Sequence, residues 1–373
     1  MVRRYGRGPA KMSRAVVLAD YACGPAVEAL EVGSVRPGGA LVRIDAATVC
    51  GTDVHISDGV FDHLARLPLI MGHEGTGTVL ELGDGLDLDA RGQPLQPGDR
   101  IVWAHNWCGR CYFCAVAKQP TLCENTMGYG WGPYQEGAIN GTFSEHLHVS
   151  PDSRVLKVPD SVSSPLASAA TCALRTVMHA LDRLPRIRFS DTVVVLGAGP
   201  VGVFCAAAAV HSGAHQVILI GAPASRLAAT QAWALTARID IDDTEPGERV
   251  EAVRSLTGGR GADVVFECAG PPEAFTEGMD MVRAGGALMV IGQAHGQTVP
   301  VPTTAMKVRQ LTVRTSLSAD ISHFHDALQF LDRHGGALDL ESAVCSKTYS
   351  LDQVTDALAA MRAGAEMKPV IVP

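Results

Sequence analysis

The sequence predicts a two-domain α/β chain, a β-rich and loop-heavy domain followed by a doubly wound parallel sheet. Three observations carry this. The chain has 373 residues, long for one hydrophobic core, so two domains are expected. Over the first ~160 residues, short β-branched runs alternate with Gly- and Pro-rich turns. From Ser164 onward, continuously apolar strands alternate with helical segments, the pattern of a parallel sheet covered on both faces.

Taken in order, Ala40–Ile44, Gly75–Leu80 and Arg100–Trp103 read as strands, with turn signals such as Gln96-Pro-Gly-Asp between them. Ser164-Pro165 then opens a helix over Leu166–Leu181, with Pro at the first helical position. Thr192–Leu196 and Gln216–Ile220 are strands, each followed by a helix, Val201–His211 and Arg226–Leu235. Ala262–Glu267 and Gly286–Ile291 are strands around a helical Pro272–Val282. Amphipathic helices follow near His323–Arg333 and Leu351–Ala363, and the short apolar tail Val370–Val372 is expected to return to the first domain. The domains are therefore placed at 1–163 and 164–317, with 318–373 completing the first.

Composition narrows the function classes. Apolar residues make up 47% and charged residues 19%, an ordinary folded composition. A net charge of −8 repels nucleic acid and anionic membrane, so neither is expected as a partner. No apolar run reaches the roughly 18 residues of a spanning helix. Met1–Arg14 is basic and free of acids, but the apolar stretch after it ends at Asp20 after five residues. That is too short for a signal peptide and reads as a first strand; a disordered leader on a cytoplasmic protein is expected, with a transit peptide as the alternative.

The strand Val193–Leu196 runs into Gly197-Ala-Gly199-Pro200-Val201-Gly202 and then a helix. The first glycine permits a tight turn, the second lets backbone reach a pyrophosphate, and the third lets helix and strand approach. The helix N-terminus supplies unpaired N–H groups and a favourable dipole. With further strand–helix units behind it, this motif predicts a dinucleotide site. The second strand of such a site ends in an acid that grips the ribose 2′-hydroxyl, but here it ends Ile220-Gly221-Ala222-Pro223. Without that carboxylate a 2′-phosphate is not repelled, and Arg226 a few residues on either pairs with one or is a solvated residue in the first turn of a helix. NADP is therefore favoured slightly over NAD.

Ten cysteines occur in the chain, and Cys108, Cys111, Cys114 and Cys123 fall within sixteen residues. Four thiolates in one loop suit a closed, structural zinc site. A second set is scattered: Cys50-Gly-Thr52-Asp53-Val-His55, Gly72-His73-Glu74 and Cys172. Two thiolates and an imidazole leave a catalytic zinc one open position. Each of these residues alone is more often packing; their joint occurrence with the loop and the glycine motif raises them.

With these motifs in this order, and Thr176 following Cys172, the chain resembles the zinc-containing medium-chain dehydrogenases/reductases, the alcohol dehydrogenase superfamily. The resemblance runs from Arg14 to the C-terminus. It implies a GroES-like β-barrel catalytic domain split around a Rossmann domain, with the active site in the cleft between them. It implies Cys50, His73 and Cys172 as catalytic zinc ligands, with Glu74 behind the metal, exchanging with water as a ligand. Asp53 would orient His73, Thr52 and His55 would relay the proton, and Thr176 would lie against the nicotinamide. The implied cofactors are two Zn²⁺ per chain and NAD(P), the substrate a small alcohol or carbonyl compound, and the assembly a homodimer or homotetramer. The cysteine loop has one residue more between its last two ligands than the commonest family pattern. The segment Met127-Gly-Tyr-Gly-Trp-Gly-Pro-Tyr-Gln-Glu is unusually aromatic; Tyr129, Trp131 and Tyr134 either line the substrate site or pack over the zinc loop. Two other readings compete: a carbon–carbon reductase, lyase or epimerase of the same fold, and a zinc-module binding protein. Retention of Thr52 and His55 with the metal set favours alcohol and carbonyl chemistry.

Overall fold

The structure, a computed structural model, describes residues 11–126, 128–292 and 297–373. Most of the expected leader, and Met127 of the aromatic segment, lie outside the described residues. The chain forms two compact units, one running to Thr171 and joined by Ser346–Pro373, the other Cys172–Cys345.

The first unit contains β1 (Met12–Leu18), β2 (Pro25–Glu31), β3 (Ala40–Thr48), α1 (Gly51–Ser57), β4 (Leu69–Ile70), β5 (Gly75–Leu82) and β6 (Arg100–Trp103). It continues with α2 (Tyr112–Ala115), β7 (His146–Val149), β8 (Val155–Lys157) and α3 (Ser164–Ala169). β1 pairs antiparallel with β2 and β4. The larger sheet is built around β3, which alternates buried Val42, Ile44 and Ala46 with exposed Arg43, as a strand with one face on a core does. β3 pairs antiparallel with β5 and β7. Val42, Ile44, Val79, Ile101, Trp103, Phe143 and Leu147 form the shared core. Because β3 ends at Thr48 and β5 begins at Gly75, both metal-ligand stretches are held by strand ends.

Ser163, one residue before the expected cap, caps α3 by accepting from the Leu166 N–H at 3.4 Å, which puts Pro165 in the second helical position. The expected continuous helix is interrupted by a π turn over Ala170–Leu174 before α4 (Arg175–Asp182). Single π turns concentrate at functional sites, and this one contains Cys172.

The second unit continues through β9 (Thr192–Leu196), α5 (Pro200–His211), β10 (Gln216–Gly221), α6 (Ala224–Ala228), β11 (Ala237–Asp240), α7 (Pro246–Leu256) and β12 (Ala262–Glu267). It is completed by α8 (Pro272–Met281), β13 (Val282–Val290), α9 (Thr303–Arg309), β14 (Thr312–Thr315), α10 (Ile321–His334) and α11 (Leu340–Val344). Its six strands are all parallel, in the order β11-β10-β9-β12-β13-β14, which is the doubly wound dinucleotide-binding arrangement. Every residue of β9 is buried. The helix expected over Arg226–Leu235 stops at Ala228. Beyond it, Trp233 donates to the Leu338 carbonyl at 2.8 Å and Arg238 Nε to Thr230 Oγ1 at 2.9 Å, tertiary bonds that a continuing helix would not make. α10 buries Phe324, Ala327, Leu328 and Leu331, an i, i+3, i+4, i+7 stripe, and packs on α4. α10, which falls in the stretch 318–373 expected to complete the first domain, lies in the second unit.

β15 (Cys345–Tyr349), α12 (Val354–Arg362) and β16 (Lys368–Ile371) follow. β16 pairs antiparallel with the end of β3, Val370 opposite Thr48.

Candidate active site

α1 is entered through Cys50, which caps it in an extended conformation. Asp53, at the third helical position, accepts the Cys50 N–H at 2.8 Å through Oδ2. Its other oxygen lies 3.0 Å from His73 Nδ1. One buried carboxylate therefore fixes both Cys50 and His73, and leaves Nε2 as the imidazole nitrogen able to take a metal. The ligand atoms of Cys50, His73, Glu74 and Cys172 all lie within 4.8 Å of one another. Burial disfavours a charged His73, but Asp53 and Cys50 outweigh that and push its pKa well up. The centre thus draws positive charge. Two thiol sulfurs, an imidazole nitrogen and a supporting carboxylate fit zinc.

Glu74 is completely buried and is held from behind. Lys368, also buried, places Nζ 2.6 and 2.5 Å from its two oxygens. Thr48 donates to Oε2 at 2.5 Å and lies 3.0 Å from Ser168 Oγ. Burial pushes the Glu74 carboxyl up to about 7, while Lys368 pulls it back. The two-point ammonium contact matches the ionised form. Lys368 was missed by sequence reasoning, since a lone lysine before an apolar tail carries no signal of a partner 294 residues away.

Thr52 and His55 sit three residues apart on α1, on one helix face. The His55 ring meets Phe61 edge-on at 5.7 Å, and Phe61 packs on Trp131 at 5.6 Å. Tyr129 is tied differently. Its hydroxyl lies 2.7 Å from Ser153 Oγ and accepts the Ser150 N–H at 2.9 Å, which pins the loop. Tyr134 packs on Ala15, Val17, Ile70 and Ile139. Trp131 is thereby linked to the His55 ring through Phe61.

The four-cysteine loop gathers all four sulfurs within 4.8 Å, with Cys111 and Cys123 4.0 Å apart. The Cys108 N–H donates to Cys123 Sγ and the Cys111 N–H to Cys108 Sγ, both at 3.4 Å. Backbone donors lower the Cys108 thiol to about 6, whereas burial raises Cys114 to about 12. Ligands on a tetrahedral zinc at about 2.3 Å stand roughly 3.8 Å apart, so these sulfurs fit a closed site.

In the second unit, Gly197 takes φ +112° and Gly199 caps α5, with Pro200 and Val201 opening the helix. A Cβ on Gly202 would fall 1.8 Å from the Gly197 carbonyl oxygen, so only glycine fits there. A cavity of about 360 Å³ opens beside this turn, lined by Gly197, Gly199, Gly221, Arg226 and Arg249 among others. Arg249 is committed to Glu277 through contacts of 2.6 and 2.8 Å. At Gly221 a Cβ would lie 2.4 Å from the Ala198 nitrogen. The missing acid is thus dictated by the close approach of β10 to the glycine turn. Thr176, on α4, donates to the Cys172 carbonyl at 2.7 Å.

Residues 36–160 match the alcohol dehydrogenase GroES-like domain, and residues 200–333 match the zinc-binding dehydrogenase domain. The 5-exo-hydroxycamphor dehydrogenase of Pseudomonas putida is 34% identical over 90% of this chain and 92% of its own length. A crystal structure of an alcohol dehydrogenase from Thermotoga maritima is 33% identical, covers 97% of this chain and all of its own, and superposes with a TM-score of 0.90. A zinc-binding dehydrogenase from Sinorhizobium meliloti, solved with NADP, is 27% identical, covers 97% and 100%, and has a TM-score of 0.84. The two domain matches, the full-length relative and the two cysteine–metal sets together show that this chain belongs to the zinc-type medium-chain alcohol dehydrogenases and is an oxidoreductase.

Proposed function

We propose that the protein interconverts a small alcohol and its aldehyde or ketone, using NADP(H) at least as well as NAD(H). The gathering of Cys50, His73, Glu74 and Cys172 around Asp53-oriented His73 is the observation that supports this most. When bound, zinc polarises the substrate oxygen and the nicotinamide exchanges the hydride. Cys50, His73 and Cys172 hold the metal, and Asp53 keeps Cys50 and His73 in place. Thr52 takes the alcohol proton at its hydroxyl and His55 passes it to solvent. Thr176 bounds the nicotinamide site. Gly197 to Gly202 cradle the pyrophosphate, with Arg226 on the ribose side. Cys108, Cys111, Cys114 and Cys123 hold a second, structural zinc.

The protein is cytoplasmic in this reading; among the described residues no helix is long and apolar enough to cross a membrane. Copies associate as a homodimer or homotetramer, for which the open edge of β14 and exposed Val308 and Leu317 offer a surface. The test is the near-ultraviolet absorbance of the reduced cofactor with a panel of alcohols and ketones, before and after chelation. Turnover that survives complete removal of metal would reject the zinc chemistry, and a blank panel would reject the substrate class.

A further inference from the structure

Two cysteines outside both metal sets face each other beside the glycine turn of the second unit. Cys205 lies on α5 and is 1% exposed. Cys268 follows β12, is half-buried, and lines the cavity that opens beside Gly197 and Gly199. Its thiol donates to the Cys205 sulfur across 3.7 Å. The pair therefore joins the two elements that flank the turn. The Cys268 N–H is bonded to the Leu196 carbonyl at 2.8 Å, next to the first glycine. A Cβ on Gly197 would lie 3.0 Å from both the Cys268 carbonyl carbon and the Ala269 nitrogen, so the turn has no slack on that side.

We propose that Cys205 and Cys268 are a reversible oxidation site, closed to a disulfide by a hydroperoxide, and that closing it weakens dinucleotide binding. This rests on the reading that the cavity beside Gly197–Gly202 holds the dinucleotide. Cys268 reacts first, because its sulfur is the one on the cavity. With hydrogen peroxide, the O–O bond breaks as the Cys268 sulfur takes one oxygen, giving a sulfenic acid and one water. The Cys205 sulfur then forms the S–S bond and displaces that oxygen as a second water. Two thiols lose two electrons, the peroxide gains them, and both thiol protons leave in the waters. The Cys205 sulfur and burial push the Cys268 thiol well up, so little thiolate is present and the first step is slow. The second step needs no search, since its partner is already in contact. Closure brings the sulfurs from 3.7 Å to about 2.05 Å, drawing Cys268 toward α5 and pressing its main chain on Gly197. A dinucleotide in the cavity covers Cys268, so occupied protein is spared.

The test treats full-length, zinc-loaded protein with hydrogen peroxide at a dose that oxidises the exposed Cys23. Linked peptides are mapped by mass spectrometry without reduction, and NADPH affinity is read by fluorescence after the peroxide is removed. A Cys205–Cys268 peptide should form in the empty protein and form more slowly under saturating NADP⁺. The linked protein should bind NADPH at least about fivefold more weakly, and dithiothreitol should restore the affinity. Cys205→Ala cannot form the link and should keep its NADPH affinity through the same treatment. Oxidised Cys23 with no Cys205–Cys268 peptide overturns the proposal, as does a linked protein with unchanged NADPH affinity. A Cys205→Ala protein that loses affinity as the wild type does would also overturn it, by assigning the loss to other thiols. If Cys205→Ala does not fold, the wild type before and after dithiothreitol decides alone. Reduced protein that binds neither NADPH nor NADH would reject the dinucleotide reading and with it the effect on binding, while the linked peptide would still establish the oxidation site.

Discussion

Asp53→Asn isolates the geometry on which the catalytic metal depends. Asp53 receives two donors, the Cys50 N–H at 2.8 Å and His73 Nδ1 at 3.0 Å, and it is 1% exposed, so water cannot easily substitute. A carboxylate offers an acceptor to each, whereas a side-chain amide offers only one. If the amide oxygen stays on the Cys50 N–H, the amide NH₂ faces Nδ1 and drives the ring proton to Nε2, where it blocks the metal. If the amide flips, NH₂ meets N–H and the Cys50 end of the helix is pushed away. Losing one charge-assisted hydrogen bond costs about 1.5–3 kcal/mol, and partners of metal-ligating histidines are worth about 10–100-fold in metal affinity. Both routes lead to a catalytic-site zinc affinity weakened by at least about tenfold, or about 1.4 kcal/mol. Competition with a chromophoric chelator measures it, and the zinc of the four-cysteine loop, which Asp53 does not touch, serves as the internal reference. An unchanged catalytic-site affinity, or an equal loss from both sites, would refute the reasoning.

Cys111→Ser should remove one zinc per chain and lower Tm by several degrees, because metal binding energy in such a loop is folding energy; elemental analysis and a thermal scan check it, and an unchanged zinc count would contradict it. Arg226→Ala should lower the kcat/KM ratio of NADP(H) to NAD(H) by about tenfold or more, the worth of a charge-assisted contact to phosphate; a constant ratio would remove Arg226 from the ribose site. Gly221→Asp should instead impair both cofactors, because its Cβ meets the Ala198 backbone at 2.4 Å. His55→Gln should slow alcohol oxidation, most severely below neutrality, at or under the low end of the roughly 10²–10⁴-fold typical of general-base steps. Zinc content should stay unchanged and added imidazole should restore part of the rate; a raised cofactor KM with an unaltered pH profile would assign His55 to packing instead.

The gathering of the four loop cysteines was legible because they lie within sixteen residues. The β9–α5 turn was legible for the same reason, a local motif on a strand whose five residues are all buried. The catalytic set is a different case. Cys50, His73 and Cys172 each read as packing when taken singly, and family resemblance joined them. Asp53 had been expected to orient His73, but its second bond, to Cys50, is a matter of helix capping that only coordinates reveal. The π turn around Cys172 was hidden because an apolar run of Ala, Leu and Thr fits an unbroken helix equally well. β11 escaped because Ala-Arg-Ile-Asp has neither an apolar run nor full burial. Gly221 was seen as a missing acid, while the reason for it, the Ala198 backbone beneath, lies 23 residues earlier in the sequence.

The central claim is that two metal sites have different duties, and one measurement bears on it most directly: zinc per chain and reduced-cofactor turnover in wild type and Cys50→Ser, on the same folded preparations. The account predicts two zinc ions per wild-type chain, and one in Cys50→Ser with normal folding and no alcohol oxidation. A Cys50→Ser protein that turns over at the wild-type rate, or an active wild type with a single zinc, would contradict it.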